Sequence, residues 1–184
     1  MTAAEDRSSG SPFWRFSLRF YRQPRVADAC IALQEEAGVD VNLLLFLLWH
    51  ATLERALSVA EVASLEGRIG AWREATVIPL RSVRRTLKSP PDLVAGAAAE
   101  LFRSKIKVVE LEAERLQQEA MYALACAAPF GHDARSLEEA ARVNVAAYEA
   151  TCRTPFPKPA TQTLLAALAG LERKPEDDNG SGHL

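Results

Sequence analysis

The chain has 184 residues, which suits one domain of roughly 100–200 residues, and 48% of them are apolar, enough to bury a core. A formal net charge of −2 and a mean hydropathy of −0.08 point to neither nucleic acid nor membrane. The three cysteines, Cys30, Cys126 and Cys152, are odd in number and show no CxxC or other metal spacing, so they read as reduced thiols in a cytoplasmic protein that needs no cofactor.

Residues 1–11 lack a cationic start followed by an apolar core, so they read as a disordered lead and not a signal peptide. Residues 12–171 read as one helical domain. Ser11 is a candidate N-cap with Pro12 as the first helical residue. The segment FWRFSLRFYRQPR holds five of the chain's thirteen aromatics, interleaved with Arg15, Arg19 and Arg22 at i, i+4 and i+7. Such a helix docks its aromatic face on a core with its arginines outward; lying on an anionic membrane surface is the rarer alternative. Pro24 breaks the chain. Val26, Ala29, Cys30 and Leu33 then share a helical face that Gly38 terminates.

Asp40 caps a helix running from Val41 to about Leu57, which contains seven consecutive apolar residues, Leu43 to Trp49. A membrane-spanning helix needs about 20. A helix apolar all round for two turns must instead be covered on most sides, so this stretch is expected to be the central helix. Asn42 and His50 border it as hydrogen-bonded helix-end groups, and a pocket near Asn42, Trp49, His50 and Trp72 is a further possibility.

Ser58 opens the next helical stretch, which Pro79 should kink or split. SPPD is the clearest break, after which Asp92 can cap a long helix. In that helix Ile106, Val109, Ala113, Leu116 and Ala120 recur at helical spacing as a seam facing neighbours. Ser136 and Glu139 have capping-box spacing at the start of another helix. TPFPKP is a stiff link, ATQTLLAALAGLER a short last helix, and residues 172–184 a disordered polar tail. With no strand-period run, the expected fold is all-α, a bundle of about six or seven helices.

Charge is segregated. From Arg68 to Lys107 nine basic residues meet three acidic ones, while from Glu110 to Glu149 eight acidic meet three basic. The densest motif is LRSVRRTLK, where Arg81, Arg84, Arg85 and Lys88 fall at i, i+3, i+4 and i+7 and occupy about a 100° arc of one helix. Leu80, Val83 and Leu87 lie on the neighbouring arc and are expected to be buried. The four cations are the candidate binding residues. They can pair internally with Glu110, Glu112, Glu114 and Glu119, or receive an acidic protein or anionic ligand, since arginine forks match such groups. A pI near 6.0 disfavours nucleic acid.

No His-rich metal spacing, phosphate loop, dinucleotide fingerprint or nucleophile elbow occurs. The chemistry therefore favours a non-enzyme, a helical module that interacts with a protein partner through its segregated faces. Nucleic-acid or polyanion binding through the basic stripe is the alternative, and a small-ligand binder or enzyme with a pocket beside the apolar helix 41–57 another. Oligomeric state is left open.

The order of blocks carries a resemblance. FWRFSLRFY, VADACIALQEEAGVDVNLLLFLLWHA, WREATVIPLRSVRRTLK, KVVELEAERLQQEAMY and NVAAYEA together resemble an uncharacterised bacterial family of short all-helical proteins of proteobacterial type, a domain of unknown function. The resemblance spans Phe13 to Leu168. Its most specific blocks are Leu33, Gln34, Val41 to Leu45 and Trp49, and Pro79 to Arg81 with Arg84. It implies a cytoplasmic helical protein and brings no activity, cofactor or catalytic residue with it.

Overall fold

The computed structural model describes residues 10–90, 93–94 and 96–172. Residues 1–9 of the expected lead (1–11), the expected cap Asp92 and residues 173–184 of the expected tail (172–184) lie outside them. The fold is all-α. In chain order the elements are α1 (Pro12–Tyr21), α2 (Val26–Ala37), α3 (Val41–Thr52), β1 (Arg55–Ala56), α4 (Val59–Trp72), a π-helical turn (Arg73–Val77), α5 (Ile78–Thr86), α6 (Gly96–Ala127), β2 (His132–Asp133), α7 (Leu137–Cys152) and α8 (Lys158–Glu172).

Local sequence explains most of the boundaries. The Ser11 hydroxyl accepts the Trp14 N–H at 3.0 Å and so caps α1. That helix buries Phe13, Phe16 and Phe20 and leaves Arg15 and Arg19 exposed, with Arg22 exposed just past its end, the docked arrangement its spacing suggests. Gly38 ends α2 with φ +68°, a left-handed conformation that glycine adopts without a Cβ penalty, and its N–H donates to the Gln34 carbonyl. Asp40 caps α3, accepting the Asn42 and Leu43 N–H groups at 2.8 and 3.3 Å.

The Pro79 expectation resolves into a widened turn. Proline has no N–H to offer the carbonyl four residues back, so the ladder must be rerouted. Here the Ile78 N–H reaches the Arg73 carbonyl five residues back, a π-type bond, and Pro79 sits in the first turn of α5. The helix passes through without splitting. The long helix α6 starts at Gly96, with Leu93 and Val94 in a turn before it.

The helices group into two compact units. Among the described residues, the first comprises 10–15 and 60–130. Here α6 packs along α5 and the π-helical turn, and the Trp72 indole N–H donates to the Ala113 carbonyl at 3.1 Å. The Ser11 N–H donates to Glu119 at 2.9 Å.

The second unit comprises residues 16–59 and 131–172. Its centre is α3 against α7, with α2 against α8 and the short strand β1 against α7. Residues Leu43 to Leu48 are all buried, as the all-round apolarity of α3 requires. A two-stranded pairing that no alternating run announces sets Arg55 opposite Asp133 and Ala56 opposite His132. Gly131 admits it: at φ +71° it lies so close to Ala56 that a Cβ would sit 2.6 Å from the Ala56 carbonyl oxygen.

Candidate functional site

Two places in the first unit are the candidates: the Arg/Glu cluster between α5 and α6, and the opposite face of α6. At the cluster, Arg81 donates to Glu110 at 3.1 Å and to Glu114 at 2.7 Å, and Arg84 forks onto both carboxylate oxygens of Glu110. Glu110 is only 5% exposed. Burial pushes its carboxyl up, but the hydrogen bonds from Arg84 and Arg81 outweigh that and hold it below the ordinary carboxylate range. The hydrogen bond to Glu110 raises Arg84 in turn.

Of the four cations read as a binding stripe, Arg81 and Arg84 are thus turned inward and half-buried. Arg85 is exposed on the same helix, whereas Lys88, also exposed, lies in the turn past its end at Thr86, so the helical stripe stops one cation short of the expected four. The apolar arc expected to be buried behind them is not: Val83 is exposed, and Leu80 and Leu87 are only half-buried. The ion pairs, more than α5's apolar residues, face α6.

That arrangement also rotates α6 away from its expected seam. Ala113 is buried and Ile106 half-buried, but Val109, Leu116 and Ala120 are exposed. The buried residues are Ala99, Glu110, Ala113, Gln117, Gln118 and Met121, centred about 80° round the helix from the expected seam at 100° per residue. The physical reason is Glu110. Its two arginine partners, reaching across from α5, need the carboxylate on the packed side, and the apolar residues turn outward as a result.

The outward face is accordingly apolar. Leu101 is 63% exposed, Phe102 51%, Val108 68%, Val109 51% and Leu116 44%. Their spacing puts them within an arc of about 120° on one side of the helix. Lys105 and Glu112 lie in the same arc and are exposed, and Glu112 accepts two hydrogen bonds from Arg115 one turn on.

In the second unit, the pivotal polar residue is one the sequence reading assigned no role. Asn144 is fully buried on α7. Its carboxamide oxygen accepts the Leu57 N–H at 2.6 Å, and its amide donates to the Leu47 carbonyl at 2.9 Å and the Arg55 carbonyl at 3.0 Å. It therefore fastens the end of α3 and the strand after it to α7. One turn further, the Tyr148 hydroxyl accepts the Asp40 N–H at 2.9 Å, tying the start of α3 to the same helix. A signal existed: Leu137, Ala140, Ala141 and Tyr148 form a helical stripe, and Asn144 is the one amide in its register.

The remaining sequence candidates are structural in their surroundings. His50 is 3% exposed, its Nδ1 lies 3.1 Å from the Phe46 carbonyl, and its ring packs between those of Phe46 and Trp49. Asn42 is buried at the start of α3. Trp72 belongs to the first unit. Among the described residues no group of three or more His, Cys, Asp or Glu side chains is placed to hold a metal ion. Nor is any helix among them long and apolar enough to cross a membrane.

Residues 12–121 match the family described as a protein of unknown function (DUF2390). The chain belongs to that family. The matched segment takes in α1 to α5 and most of α6, so both the Arg/Glu cluster and the outward apolar face lie within it. It stops before α7, which carries Asn144 and Tyr148, and so falls short of the span from Phe13 to Leu168 over which the resemblance extends. No curated protein and no solved structure matches the chain.

Proposed function

We propose that the protein is a non-catalytic cytoplasmic interaction module whose docking surface is the outward face of α6. The observation that carries this reading is the run of five large apolar side chains, each 44–68% exposed, on one face of one helix. A single exposed leucine needs no explanation, whereas five large exposed apolar side chains gathered on one helix face make a surface that a second helix can cover. The segregated charge supports the same reading in an altered role. Arg81 and Arg84 fasten α5 to α6 through Glu110 and Glu114, and so present the apolar face outward.

The test is a photo-crosslinking residue in place of Val108, in the full chain expressed in its native cell. Defined protein adducts that vanish when the probe is moved to the buried side, at Ala113, are expected. Complete absence of adducts at Val108 would overturn the reading.

A second reading keeps the cationic stripe as a polyanion site. The exposure of Arg85 and Lys88 supports it, although a polyanion using all four cations would have to draw Arg81 and Arg84 off Glu110. Heparin retention that falls steeply with salt, and falls further in Arg85→Ala/Lys88→Ala, is the expected signature. Retention unchanged by that double substitution counts against the stripe.

A further inference from the structure

The outward face of α6 carries charge as well as apolar surface, and the order of the charges along the helix specifies an occupant. From its N-terminal end the face reads Leu101, Phe102, Lys105, Val108, Val109, Glu112, Leu116. We infer that this face docks on the same face of a second copy of the chain, with the two α6 helices antiparallel about an axis between Val108 and Val109. This rests on the interaction reading above and names its partner.

In that register Val108 of each copy meets Val109 of the other, Leu101 meets Leu116, and Lys105 meets Glu112. These three levels hold apolar pairs or an opposite-charge pair, and the lysine–glutamate pair occurs twice because of the two-fold axis. Arg115 holds Glu112 within its own helix, and in the pair Phe102 and Arg115 lie level at opposite edges of the contact. A parallel in-register pairing fails by the same bookkeeping. It sets Lys105 against Lys105 and Glu112 against Glu112, and like charges at one level select against that arrangement. A face whose charges are self-complementary in one direction alone fits its own copy better than an unrelated helix.

The contact runs from residue 101 to 116, about 23 Å of helix. Two such faces bury on the order of 1,000 Å² in all, near the lower bound for a specific interface. The dimer is therefore reversible and depends on concentration.

Sedimentation of the full chain across the micromolar range tests this, with charge-exchange variants on exposed positions that leave the packed side of α6 untouched. The mass of the parent chain is expected to rise with concentration from one chain to two. Lys105→Glu and Glu112→Lys are each expected to weaken the association at least tenfold. The double variant should recover to within about threefold of the parent. The two single variants, mixed, should pair with each other. A one-chain mass at every concentration overturns the inference, as does a dimer indifferent to both single variants. The wider reading is separable: a one-chain mass accompanied by adducts at Val108 sinks self-docking alone, whereas a one-chain mass without adducts sinks both.

Discussion

Replacing Asn144 by alanine is expected to cost more than any other single polar substitution in the second unit. The side chain is fully buried and makes three hydrogen bonds to backbone groups 87, 89 and 97 residues away in sequence. Alanine leaves the Leu57 N–H buried without its partner and takes the side-chain donor from the Leu47 carbonyl, which keeps its place in the α3 ladder, and from the part-buried Arg55 carbonyl. An orphaned buried group costs about 1–3 kcal/mol and each further lost hydrogen bond about 0.5–1.5 kcal/mol, so the total comes to about 2–5 kcal/mol. That is a large share of the 5–15 kcal/mol typical of a folded domain. Denaturant unfolding monitored by circular dichroism reads the total, and amide exchange at Leu57 reads the local loss. The companion variant Asn144→Asp keeps the acceptor for Leu57 but turns a carboxylate toward two carbonyls. Its carboxyl is then raised, the folded state holds the proton more tightly than the unfolded chain, and the variant loses stability relative to the parent as pH rises above about 4. A cost for Asn144→Ala below about 1 kcal/mol, with Leu57 still protected, would refute the reasoning.

The other predictions concern the packed side of α6, the core and pH. Arg81→Ala/Arg84→Ala strips both partners from the buried Glu110 and should cost about 2–4 kcal/mol, less than a fully buried pair because both arginines are about a quarter exposed; faster amide exchange in α5 than in α3 would localise the effect. Leu45→Ala and Phe46→Ala, at positions 3% and 0% exposed, should each cost about 2–5 kcal/mol in denaturant unfolding. Glu110 and Glu139 both have carboxyls held below the ordinary range, Glu139 at about 2 by hydrogen bonds from the Arg135 side chain and backbone N–H. In this direction the unfolded chain takes up more protons, so the stabilisation is complete above about pH 5 and is lost as pH falls toward about 2. Unfolding midpoints at about pH 6 and about pH 3 should therefore differ less in Glu139→Gln and in Glu110→Gln than in the parent.

What was legible in the sequence is what is decided within one turn of chain. Ser11, Gly38 and Asp40 cap or end helices because their side chains or backbone freedom act on residues three or four away. Ser136 likewise accepts the Glu139 N–H at 3.2 Å, but Glu139 answers to the N–H of Arg135, one residue before the cap, where a capping box would return to Ser136 itself. The burial of Leu43 to Leu48 followed from apolarity on every side, which leaves no alternative face to choose.

Helix α6 does offer a choice, and there the apolar pattern misleads. Val109 and Leu116 read as core while Glu110 and Gln117 take the buried places, because the partners of Glu110 lie on another helix 26 and 29 residues earlier. The arginine stripe held the same information in ambiguous form, since pairing with Glu110 and Glu114 and binding an external anion call for the same residues. Asn144 was hidden for the opposite reason. Side-chain spacing marks it only as the one amide in the buried stripe of α7; its partners are backbone groups, which spacing does not name.

The antiparallel meeting of two α6 helices is tested most directly by a distance. A spin label on Ala97→Cys, in a chain carrying Cys126→Ser and Cys152→Ser, lies eleven to twelve residues from the proposed axis. At about 1.5 Å per residue the two labels of a dimer should be separated by about 35 Å. Dipolar spectroscopy giving that distance, and losing it in Lys105→Glu, is the result expected here. A separation of about 10–15 Å, which a parallel pair would give at one helix spacing, or no dipolar coupling at any protein concentration, would contradict it.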